Sequence, residues 1–158
     1  MSTVTLRAES LDSPAAGQLI PALNAELSGR YPEAGATHFR LDPQEVGPGR
    51  GAFLVAYLGD EPVGCGAVRR LDAATAEIKR MFVLPPRRGQ GIAGQVLAGL
   101  EEEARVLGVA RLVLETGVRQ PEAIALYRRF GFDTIPAFGE YIGSGLSLCM
   151  GKDLPAAT

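Results

Sequence analysis

The chain has 158 residues, which fits one domain and excludes two full catalytic domains. Apolar residues make up 46% and charged residues 22%, and 16 Lys and Arg against 18 Asp and Glu leave a formal charge of −2, so neither wholesale disorder nor a dedicated nucleic-acid-coating surface is expected. No apolar stretch reaches the ~18 residues of a membrane span, and Val4 and Leu6 alternate with Thr3, Thr5 and Arg7 where a signal peptide would run basic then apolar, which places the protein in the cytoplasm with no membrane partner.

Residues 3–8 alternate with period two and predict a strand. Ser13-Pro14 reads as an N-cap followed by proline at the first helical position, and Leu19, Leu23 and Leu27 predict the helix. Pro21 lies inside that pattern and predicts a kink or two short helices. Residues 29–50 carry seven glycines and prolines and predict a long loop with a short helical piece near Thr37–Leu41; a segment of this kind inside a compact domain is usually functional. Ala52–Leu58, Val63–Leu71 and Ala76–Leu84 read as three antiparallel strands joined by short turns, the first of them at Gly59-Asp60. The period then changes: Ile92, Val96, Leu97, Leu100, Ala104 and Leu107 share one helical face, and Gly108 stops the helix. Arg111–Thr116 is a strand, Gln120-Pro121 opens a helix ended by Gly131, and Phe132–Ile135 and Gly145–Gly151 are final strands. The order β α β β β α β α β β predicts an α/β fold on one mixed, mostly antiparallel sheet of six or seven strands, with the domain at 1–154 and a frayed tail at 155–158. Cys65 and Cys149 sit among apolar residues and read as buried free thiols. With His38 as the single histidine, a histidine zinc site or a Ser-His-Asp triad fits poorly, and no metal is expected.

The most informative segment is Arg87-Arg88-Gly89-Gln90-Gly91-Ile92-Ala93-Gly94, which opens the long helix. Four N–H groups at a helix start lack internal partners, glycines let a ligand approach the backbone, and two arginines add positive charge; together these make a pyrophosphate cradle. Gly89-x-Gly91-x-x-Gly94 also matches the dinucleotide fingerprint, with Glu115 about 20 residues on. A parallel βαβ unit is required for that reading, whereas the strands before this turn are joined by hairpin-length links. No Gly-Lys-Ser or Gly-Lys-Thr is present for a P-loop.

At these residues the chain resembles the GNAT superfamily of acetyl-CoA-dependent N-acetyltransferases. Arg88-x-x-Gly91-x-Ala93 meets the family's first signature, Met81-Phe82-Val83 matches its fourth strand, and Gln120-x-x-Ala123-Ile124-x-Leu126-Tyr127-x-x-x-Gly131-Phe132 matches its second. The resemblance implies a V-shaped cleft between the fourth and fifth strands. The backbone of Met81, Phe82 and Val83 would pair with the pantetheine arm, the amides of Gly89, Gln90, Gly91, Ile92, Ala93 and Gly94 would hold the pyrophosphate with Arg88 beside them, and Gln120 would touch the pantetheine where the family often has asparagine. An amide near Val83 would polarise the thioester carbonyl. Tyr127 matches the usual general acid. Glu77 is the candidate base, with a surface ion pair to Lys79 or deprotonation through a water chain as the alternatives. For the acceptor, implied to be the primary amine of a small molecule or amino acid, the candidates are Tyr141, Glu115, Arg69, Arg70 and the 29–50 loop. Glu33 or Glu140 could hold an ammonium, and Arg70, Lys79 or Arg80 a carboxylate. The implied activity is acetyl transfer by direct attack in a ternary complex; a non-catalytic acyl-CoA-binding module on the same fold is the alternative, and a homodimer is common for the family.

Overall fold

A computed structural model of the chain describes residues 4–32 and 41–155. The elements follow the sequence with shifts of one or two residues: β1 (Val4–Ala8), α1 (Pro14–Arg30), β2 (Gly51–Leu58), β3 (Glu61–Arg70), β4 (Thr75–Val83), α2 (Ile92–Leu107), β5 (Arg111–Gly117), α3 (Pro121–Arg129), β6 (Asp133–Thr134) and β7 (Ser147–Asp153). Short 3₁₀ turns occupy Pro43–Val46, Pro85–Arg87 and Gly139–Tyr141. Residues 37–40 of the helical piece expected near Thr37–Leu41, together with Glu33 and the last three residues of the expected tail, lie outside the described residues.

The local rules explain most boundaries. Ser13 caps α1, its hydroxyl accepting from the Ala16 amide at 3.1 Å, and Pro14 takes the first turn. Gly108 ends α2 in the left-handed conformation. The kink expected at Pro21 does not divide the helix: α1 runs unbroken from Pro14 to Arg30. Leu19 and Leu23 anchor it on both sides of Pro21 against the sheet, so packing outweighs the one backbone donor that proline removes.

One seven-stranded sheet runs in the order β1-β2-β3-β4-β5-β7-β6, antiparallel except for β4 with β5. Both faces are covered. Leu54, Val68, Ile78 and Leu114 pack against Val96, Leu97 and Leu100 of α2, while Phe53, Val55, Cys65 and Ala67 pack against Leu19 and Leu23 of α1. This is why β2 and β3 read as unbroken apolar runs.

Two irregularities in β4 position the site. Pairing with β5 spans only Thr75–Ile78 against Arg111–Leu114, after which the strands part. On its other edge β4 carries a bulge: Cys65 pairs with Phe82 and Ala67 with Lys79, so Gly66 faces both Arg80 and Met81. Arg80 takes φ 62°, the single non-glycine left-handed residue described. The bulge advances the pleat by one residue. Ile78 and Met81 therefore face α2, whereas Lys79 and Phe82 face α1. A Cβ at Gly66 would lie 2.7 Å from Met81 Sδ and 2.8 Å from Leu100 Cδ1, so a larger residue there would have to displace those side-chain ends.

Candidate active site

The chain leaves β4 through the turn at Pro85–Arg87 and enters α2 with Gly89 at φ 81° and Gly91, the N-cap, at φ 79°. No side chain caps α2, and its first described backbone bond runs from the Gln95 amide to the Gly91 carbonyl, so the amides before Gln95 are left for a ligand. They line a groove of about 630 Å³ with Met81, Phe82, Val83, Arg88, Gly89, Gly91, Ile92, Ala93 and Gly94 on one side and Gln120, Leu126 and Tyr127 on the other. Of the predicted cradle, Gln90 alone does not line the groove; it is exposed. Gly94 also serves packing: a Cβ there would sit 3.0 Å from Cζ of Phe130, the residue that follows α3.

Arg88 spans the groove mouth. Its Nε donates to the Val83 carbonyl at 2.9 Å, its Nη2 forks onto Glu26 of α1 at 2.8 and 3.0 Å, and its guanidinium lies over Phe82. Gln120 takes the N-cap position of α3, but its side chain makes no capping bond; its side-chain oxygen turns back to accept from the Gly117 amide at 3.2 Å.

A second, smaller cavity of about 130 Å³ opens from the same cleft and includes Tyr31, Lys79, Arg80, Glu115, Thr116 and Tyr141. It shares Leu23, Met81, Gln120, Ala123 and Tyr127 with the groove, so these five mark the junction of the two spaces. Tyr127 is 6% exposed and stacks edge-on against Phe132, with ring centroids 5.8 Å apart. Burial, helped by the Glu115 carboxylate, pushes its hydroxyl well above the ordinary tyrosine range, so it keeps its proton at neutral pH.

Glu77 lies behind this cavity rather than in it. It is 1% exposed; one oxygen accepts from Arg69 Nε and Nη2 at 3.0 and 2.8 Å, and the other from the Tyr141 hydroxyl at 2.6 Å. Arg69 in turn donates to Glu45, in the turn that follows the long loop. The simple Glu77–Lys79 surface pair is not formed: both residues are buried, and the nearest carboxylate to Lys79 is Glu140 at 3.8 Å. Arg70 lies at the far end of the sheet, where its guanidinium holds the Leu107 carbonyl at the end of α2, and it lines neither cavity. Glu115 lines the small cavity and accepts from Ser147 at 2.6 Å. Tyr31 had no local sequence signal; its hydroxyl accepts from the Arg119 amide at 2.9 Å across 88 residues and packs where a Gly117 side chain would be.

The two roles open to Glu77 separate in the Glu77→Gln variant. Loss of charged hydrogen bonds to Arg69 and Tyr141 is expected to cost about 2 kcal/mol, lowering Tm by roughly 5 °C, while kcat stays within about tenfold. An unaltered Tm with kcat down by about 10²–10⁴ makes Glu77 the base instead.

A mixed sheet whose central parallel strands part beside an uncapped, glycine-rich helix start is the framework of an acyl-CoA-dependent transferase, and the antiparallel strands before the turn exclude the doubly wound dinucleotide fold. The acetyltransferase (GNAT) family pattern matches residues 18–132, and the chain belongs to that family. An IAA acetyltransferase of Azospirillum brasilense is 43% identical over 155 residues, 98% of this chain and all of that one. A Klebsiella pneumoniae protein assigned as an acyl-CoA N-acyltransferase superposes with TM-score 0.83 at 33% identity, covering 96% of this chain and 98% of the other. A GNAT family acetyltransferase of Elizabethkingia anophelis, solved with acetyl-CoA bound, gives TM-score 0.71 at 20% identity over 98% and 100% of the two chains. The chain is thus a GNAT-family N-acetyltransferase.

Proposed function

We propose that the enzyme transfers the acetyl group to the primary amine of a small molecule by direct attack, both substrates being bound together. The carrying observation is the junction: a long groove and a small pocket meet at Met81 and Tyr127. In the groove, the α2 amides and Arg88 hold the diphosphate, the open edge of β4 at Met81–Val83 pairs with the pantetheine arm, and Gln120 flanks it. Acetyl-CoA supplies an acetyl group already activated as a thioester. An amide near Val83 polarises its carbonyl.

Tyr127 gives its proton to the departing sulfur. Neither cysteine lines the junction, and both are buried free thiols. A covalent acetyl-enzyme therefore has no thiol to form on. Glu115 presents its carboxylate to the incoming ammonium; Glu77 positions Tyr141, and the amine's proton leaves through water. The free thiols favour a reducing, cytoplasmic location. Among the described residues no helix is long and apolar enough to cross a membrane.

Initial rates measured by thiol release, varying acetyl-CoA against amine, test this reading. Intersecting double-reciprocal lines are expected; parallel lines, or no amine-dependent release, overturn it. The pH profile carries a second expectation. Because the acceptor must be neutral and Tyr127 titrates above its ordinary value of 10.0, kcat/KM rises with pH and shows no Tyr127-dependent fall below about pH 10. A descending limb below pH 9.5 that disappears in Tyr127→Phe would contradict it.

A further inference from the structure

Lys79 is placed in an unusual way. Ile78 and Leu114 form the last rung between β4 and β5, so Lys79 and Glu115 are the first residues past the point of divergence. Partners on adjacent parallel strands share a face, and both side chains line the small cavity. They carry opposite charges, yet Lys79 makes no ion pair with Glu115; among the described residues its one ion pair is with Glu140, at 3.8 Å. The Lys79 side chain is only 6% exposed, and its Nζ, with three protons to donate, has no hydrogen-bond acceptor among the described residues. Its charged neighbours are accounted for: Glu77 is taken up by Arg69 and Tyr141, and Arg80 donates to Asn24 of α1.

A buried ammonium without acceptors is costly unless a ligand supplies them. Burial pulls the Lys79 ammonium below its usual range, with Glu77 pulling the other way, and an incoming anion removes that penalty. From these observations we infer that the small pocket binds a zwitterion: Lys79 receives an anionic group, and Glu115 and Tyr127 receive the ammonium of the same molecule, which is the nitrogen acetylated. This rests on the transferase reading above and names its acceptor class: an amine that carries a carboxylate or phosphonate within a few bonds. The divergence of the strands sets the separation, since the cation stands on one arm of the V and the carboxylate on the other.

The test is a thiol-release panel of the twenty amino acids, their α-amides and aminomethylphosphonate, run on the wild-type enzyme and on Lys79→Met and Lys79→Arg. At least one acid is expected to exceed its own amide by roughly 10- to 100-fold in kcat/KM. The amide's amine is the less basic and is more often neutral, so amine chemistry alone favours the opposite order. Lys79→Met is expected to bring acid and amide within about threefold of each other, and Lys79→Arg to restore part of the preference; coenzyme A binding by calorimetry, within twofold of wild type, reports that the variants are folded. Preference for aminomethylphosphonate over every carboxylate identifies a phosphonate as the anion. Amides turned over as well as or better than acids, or a preference that survives Lys79→Met, overturns the zwitterion and leaves the transferase standing. Release from no member of the panel by an enzyme that binds coenzyme A overturns both.

Discussion

Tyr127→Phe is expected to lower kcat by about 10²–10³-fold while the affinity for coenzyme A, measured by calorimetry, stays within about twofold. The ring stays in place, because phenylalanine keeps the edge-on contact with Phe132 and fills the same wall of the junction. Only the hydroxyl goes, and among the described residues it makes no hydrogen bond whose loss would loosen the fold. The effect should therefore fall on proton delivery to the leaving sulfur and not on binding or stability. A variant with wild-type kcat would show that the thiol takes its proton from solvent.

Gly91→Glu attacks the other half of the site. Gly91 is the N-cap of α2 at φ 79°, where any other residue is strained by roughly 1–2 kcal/mol. A glutamate there also sets a negative charge at the end of the helix that is offered to the diphosphate. Acetyl-CoA affinity is expected to fall by more than about 100-fold, read as a rise in KM or a lost calorimetric signal. Space is available for a Cβ, so the scaffold itself should survive with a modest loss in Tm. Gly91→Ala isolates the strain without the charge and should lose far less affinity. Tight binding in both variants would mean that the diphosphate lies elsewhere.

Much of this was legible in the residue pattern. Ser13-Pro14, Gly108 and the stripe Ile92–Val96–Leu100–Ala104 specify their elements locally, and the glycines of the α2 entry specify a helix start that no side chain caps. The fate of Pro21 was not legible, since tertiary packing of Leu19 and Leu23 decides it. Nor was the bulge at Arg80, whose side-chain type gives no hint of a left-handed backbone and which lies opposite Gly66 in the neighbouring strand. That bulge decides which face each later residue of β4 takes. The surroundings of Glu77 were hidden for a similar reason: its partners Arg69 and Tyr141 are 8 and 64 residues away. Arg70 differs from Arg69 by one position and one face, and that alone sends it to the end of α2 and away from the cleft.

Where β4 and β5 separate, the ladder stops after four rungs although the strands continue for nine and seven residues in all. Beyond Ile78 and Leu114 the inner main-chain edges of β4 and β5 have no strand partner; Arg88 takes the Val83 carbonyl and Gln120 the Gly117 amide, and the inner-edge amides left over should exchange deuterium readily. Coenzyme A, lying along that edge as a surrogate strand, should slow their exchange while leaving β2 and β3 unaltered, so the donor would act as a removable splint for the centre of the sheet.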